Sequence, residues 1–128
     1  MTAPQKQVLV IENSVGSAMT LNMLLRQAGI AMQFVRTVAE ARDYMNAGWP
    51  FTGVIIQGKS TETLGTGESI ENTLQFLRDL EAMQYPGKVY VLSSTDYNNP
   101  AFREAASSVL TNVYDKVAVF TGQQPLEF

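Results

Sequence analysis

The stretch Val8-Leu9-Val10-Ile11-Glu12-Asn13-Ser14 decides how the rest of the chain is read. Four apolar residues in a row, three of them β-branched, fit a short strand buried on both faces, since a wet face would require a polar residue at every second position. The run ends in an acid, an amide and a hydroxyl, so polar chemistry begins where the strand stops. Ser14 is placed to cap a helix, and Val15, Ala18, Leu21, Leu24, Leu25 and Ala28 follow at spacings of three and four as its inner stripe, with Gly29 behind them to end it. A buried strand running straight into an amphipathic helix opens a β-α unit.

The pattern repeats on both sides of that stretch. Residues 31–35 read as a weaker strand. Thr37 with Glu40 forms a capping box for a helix carrying Val38, Ala41, Met45 and Ala47, and Gly48 follows it. A third strand spans about 51–56 and ends at Gln57. The Gly/Ser/Thr-rich residues 58–67 read as a surface loop, and a helix over 68–83 presents Ile70, Leu74, Leu77 and Leu80 on one face. Tyr85-Pro86-Gly87 stops it before a fourth strand at 89–92. Asn99-Pro100 starts a helix through Phe102, Ala105 and Ala106, and residues 111–114 read as a fifth strand. Five strands alternating with helices predict a doubly wound parallel α/β sheet, in which chemistry collects beyond the carboxyl ends of the strands. Those ends are Glu12-Asn13, Gln57-Gly58-Lys59, Ser93-Ser94 and Asp115-Lys116.

Composition narrows the chemistry. The 128 residues, 45% apolar and 16% charged, fit one domain over 1–128. With no cysteine and no histidine, disulfides, thiol nucleophiles and imidazole bases are excluded. A net charge of −3 offers no basic patch for nucleic acid or an anionic membrane. No apolar run approaches the ~20 residues that span a bilayer, and residues 1–7 lack the pattern of a signal peptide, so a cytoplasmic protein is expected. There is no internal repeat.

The residues at the strand ends resemble the receiver domain of bacterial response regulators over about 6–116. The resemblance implies a flavodoxin-like five-stranded sheet of order 2-1-3-4-5. It places the family's acidic pair on Glu12 and Asn13, its phosphoacceptor on Gln57, its hydroxyl on Ser93 and its lysine on Lys116. Three departures follow. An amide at residue 57 cannot form an acyl phosphate. With Asn13 and Gln57 neutral, the pocket keeps one of three acids, too few for magnesium. Val117 stands where the family has proline. The expected module is therefore a degenerate, phosphorylation-independent receiver, not an enzyme and without cofactor or bound metal.

Several residues admit two readings. Lys59 either replaces the absent ion and pairs with Glu12 or points into water. Lys116, reaching a pocket where a lone ammonium is costly, is expected to pair with Glu12 or to bond the Gln57 oxygen. Ser93 is expected to bond backbone. The family's switch aromatic falls on Val113, with Tyr114 one residue later. Residues 117–128 stand in place of a fifth helix, which is expected to be missing or truncated. Val117, Val119, Phe120, Leu126 and Phe128 are expected to cover the sheet face it leaves, within the chain or across a homodimer. The family's output face would include Asn98, Phe102, Arg103 and Tyr114. The expected partners are proteins: a kinase, another receiver or an output domain, with this module at the N-terminus of a larger protein. The alternative is a flavodoxin-like small-molecule or anion-binding module with Ser14, Gly16, Ser17 and Thr20 as its cradle.

Overall fold

The computed structural model describes residues 5–128. Residues 1–4, part of the segment read for a signal peptide, lie outside them. The elements are β1 (Gln7–Ile11), α1 (Val15–Gln27), β2 (Ala31–Val35), α2 (Val38–Asn46), β3 (Gly53–Gln57), β4 (Ser60–Thr61), β5 (Glu68–Ser69), α3 (Ile70–Ala82), β6 (Lys88–Ser93), α4 (Ala101–Ala105), β7 (Asn112–Asp115) and α5 (Lys116–Phe120). Five strands pair in parallel in the order β2-β1-β3-β6-β7, which is the 2-1-3-4-5 order of a flavodoxin-like sheet once the β4–β5 hairpin is set aside.

Strand alternation divides the core in two. Leu9, Ile11, Val54, Ile56, Val89 and Val91 face α2, α3 and α4, while Val8, Val10, Ile55, Tyr90 and Leu92 face α1 and the C-terminal segment. Every residue of β3 is buried, as its unbroken apolar run requires. The helices start where their hydroxyls allow. Ser14, Thr37 and Ser69 each accept from a backbone N–H three residues on.

Four expectations need correction. Val15 belongs to the inner stripe by spacing, yet it is 53% exposed, because α1 is phased on Ala18, Leu21 and Leu25. Residues 58–67 are not a free surface loop. Ser60 and Thr61 are buried in the two-residue ladder β4–β5. Thr73 Oγ1 donates to the Gln57 carbonyl at 2.9 Å, so Ser60 must donate to Thr73 across 2.7 Å. Arg42 bonds both Glu62 and Asp79, tying the hairpin to α2 and α3. Helix α3 starts at Ile70 rather than 68, with Glu68 in the ladder before the Ser69 cap. Val117 does not cover the sheet face: it is 59% exposed on the fifth helix, which is truncated to five residues as expected.

The segment after α5 folds back along the sheet. Val119, Phe120, Leu126 and Phe128 pack on the α1-side core. Tyr90 Oη donates to the Glu127 carbonyl at 3.0 Å, and the Tyr90 and Phe128 rings meet edge to face at 5.3 Å. Gly53 makes this possible, since a Cβ there would stand 2.2 Å from the Phe128 ring. The sheet face is thus covered within the chain.

Candidate functional site

The carboxyl ends of β1, β3, β6 and β7 bring Glu12, Asn13, Gln57, Ser93 and Lys116 together, as their positions in sequence require in a parallel sheet. Glu12 is 3% exposed. Its Oε2 accepts from Lys116 Nζ at 2.9 Å and its Oε1 from the Ser14 N–H at 3.1 Å. Lys116 opens α5 and also reaches Ser17 Oγ at 3.4 Å. Of the two partners open to Lys116 from sequence, it takes Glu12.

Gln57 is used at both ends of its amide. Its Oε1 accepts from the Asn13 N–H at 2.9 Å and its Nε2 donates to the Lys59 carbonyl. A carboxylate has no proton to give at neutral pH, so this arrangement fits an amide. Asn13 Nδ2 donates to Glu68 Oε1 at 2.6 Å, drawing the hairpin over the mouth of the site. Lys59 does not reach Glu12. Its ammonium lies 3.8 Å from Asp96 Oδ2, half-exposed, because the turn after Gly58 carries it towards the loop beyond β6. Ser93 Oγ accepts from the Asp96 N–H at 3.0 Å and the Thr95 N–H at 3.4 Å. A Cβ on Gly58 would lie 2.8 Å from Ser93 Oγ, so only glycine lets the loop pass here.

What space remains is a polar cleft of about 150 Å³ between Gln57, Lys59, Glu68, Ser93, Asp96 and Lys116. Glu68 and the pairing of Asp96 were not anticipated. The signal for Glu68 is Ser69 itself, whose capping role puts the preceding residue outside the helix. This donor set does not fit a magnesium ion, since both Glu12 oxygens are engaged, an ammonium stands against one of them, and the Gln57 oxygen is held by a backbone N–H. The cradle considered for an anion is also occupied. Ser14 caps α1, Ser17 Oγ lies against Lys116, and Thr20 bonds the Gly16 carbonyl.

The face expected for output is differently built. Phe102 is fully buried, and Arg103 bonds Asn112 Oδ1 at 2.9 Å. Val113 packs towards α4, whereas Tyr114 points to the opposite side and stacks on Tyr90 at 5.6 Å.

Neither a family model nor a curated protein sequence matches the chain. Solved structures do. A CheY-like receiver domain from Methylobacillus flagellatus is similar with a TM-score of 0.72 at 18% identity, over 95% of this chain and 95% of that one. The receiver domain of a Francisella response regulator gives 0.70 at 17% identity, over 93% of this chain and 90% of the other. TrrA from Thermotoga maritima, solved in complex with magnesium and BeF, gives 0.67 at 17% identity, over 93% and 95%. The fold is therefore that of a response-regulator receiver domain, a flavodoxin-like architecture. At these identities the likeness is one of fold.

Proposed function

We propose that the chain is an atypical, phosphorylation-independent receiver-type module of a two-component signalling protein. It is non-enzymatic and works by contacting other proteins, whether a kinase, another receiver or an output domain. The observation that carries this reading is the self-satisfied pocket. Gln57 stands where a phosphoacceptor would, with its amide spent on Asn13 and Lys59, while Lys116 and Glu12 neutralise each other beside it. Residue 57 offers no carboxylate to phosphorylate, and the oxygens of Glu12 and Gln57 are already spent on partners within the chain. Ser93, bonded to backbone, and Tyr114, turned to the tail side, leave no hydroxyl-to-aromatic relay. A cytoplasmic location accords with this role. No described helix is long and apolar enough to cross a membrane.

The test is an amide NMR titration with magnesium and then beryllofluoride, a mimic of a phosphoryl group on aspartate. No saturable shift is expected at residues 12, 57, 93 and 116, and a saturable shift in the wild-type chain would overturn the reading. The N13D/Q57D variant returns two carboxylates to the pocket and is expected to gain magnesium-dependent shifts there.

A further inference from the structure

With the tail folded onto the sheet, an open apolar surface remains along the outer flank of α1. Val15, Met19 and Met23 lie four residues apart, the spacing that aligns side chains on one helical face, and the two methionines are 68% and 57% exposed. Over its 13 residues α1 carries a single charge, Arg26, which has no ion-pair partner among the described residues. Met19, Met23 and Arg26 border one shallow groove of about 450 Å³. A solvent-facing flank ordinarily carries several charges, and this one does not.

We infer that this flank is an interface with a second copy of the same chain, packed as an antiparallel α1–α1 pair about a two-fold axis through Met19. The stripe is its own complement. Turned end for end about Met19, it lays Met19 on Met19 and Val15 on Met23, and flexible thioethers fill the irregular gaps of such a contact. Charge selects this direction. Arg26 lies seven residues past the axis, about 10.5 Å along the helix. The same distance on the other side passes just beyond the N-terminus of the second copy's α1, to the turn where Asn13 holds the exposed Glu68 carboxylate at 2.6 Å. Guanidinium faces carboxylate twice in the antiparallel pair, whereas a parallel pair sets Arg26 beside Arg26. Antiparallel packing also opposes the helix dipoles.

One helix flank falls short of the ~800 Å² per partner of a standard interface, so association is concentration-dependent, with a dissociation constant of about 10–500 μM. The inference rests on the reading of a domain that works through protein contacts, but its readout, the oligomeric state, does not require the pocket to bind metal or a phosphoryl group. Sedimentation velocity on the full chain, from about 10 μM to about 1 mM, is expected to show a monomer becoming a dimer. M19D is expected to raise the dissociation constant at least about tenfold. Far-UV circular dichroism would verify that this exposed position leaves the fold intact. R26E is expected to weaken the dimer, and R26E/E68R to bring it back to within about threefold of wild type.

A chain monomeric up to about 1 mM would overturn the interface, and so would a dimer that M19D leaves untouched or a charge exchange that restores nothing. A persistent monomer with no metal or beryllofluoride binding would leave the proposed function standing without this interface. Saturable metal binding by a chain that still dimerises through Met19 would remove the proposed function and keep the interface.

Discussion

Replacing Lys116 by methionine removes the one cation that faces Glu12. The carboxylate, 3% exposed, would keep a single backbone N–H at 3.1 Å and no counter-charge. Truncating one partner of a buried pair costs about 3–5 kcal/mol. The Lys116 side chain retains 17% of its exposure, so water reaches the gap and the loss falls to about 2–3 kcal/mol. For a chain of this length that lowers the melting temperature by about 8–11 °C and the urea midpoint by about 1 M or more. Glu12→Gln costs less, about 1–2 kcal/mol, because the freed ammonium can turn towards water and Ser17 Oγ, 3.4 Å away. The double variant E12Q/K116M leaves no buried charge, so the two losses should not add. Equilibrium urea denaturation of the four proteins at pH 7 is expected to give a coupling energy of about 1–2 kcal/mol. Additivity within about 0.5 kcal/mol would refute the claim that these two residues form one neutral unit filling the pocket.

Other expectations follow from packing and titration. Gly53→Ala drives a methyl into the Phe128 ring, so the tail should detach while the sheet survives, with a loss of about 1–3 kcal/mol and rapid proteolysis confined to residues after α5. Tyr85→Phe removes a buried hydrogen bond to the Phe51 carbonyl, 2.8 Å long, and should cost about 1–2 kcal/mol at neutral pH in thermal melts. Burial pushes the Tyr85 hydroxyl from 10.0 up to about 12 and raises that of Tyr90 as well. The unfolded chain therefore loses these protons first. The stability that comes from keeping Tyr85 neutral is complete below pH 10 and drains as pH climbs through about 12. Urea midpoints between pH 8 and 12 should fall for wild type and fall less steeply for Tyr85→Phe.

The sheet was legible in sequence because its central strands are unbroken apolar runs and its helices open at Ser14 and Thr37 with the expected caps. The pocket residues were legible for the same reason, since parallel strands deliver their carboxyl ends to one edge. The hairpin was not. Two-residue strands of serine, threonine and glutamate carry no apolar alternation, and Ser60 is buried through hydroxyl and amide partners distant in sequence. Nor was the partner of Lys59, because Asp96 lies on a separate loop and nothing local couples them. Val15 shows how phase escapes periodicity. Both 15-18-21 and 15-19-23 are helical spacings, and only the way α1 seats on the sheet chooses between them.

The division of the core has a consequence for how the domain breathes. One side of the sheet is sealed by three helices over a large cluster of buried side chains, the other by α1, the short α5 and a strap of irregular chain held at Tyr90 and Gly53. Segments with little buried apolar area open at lower free energy than the core, so the strap is expected to open before the sheet it covers. In deuterated water the amides of α5 and of the residues beyond it would exchange through partial openings, long before those of β3 and β6 take the global route. Early exchange confined to that strap would mark it as the part of the fold that opens most easily.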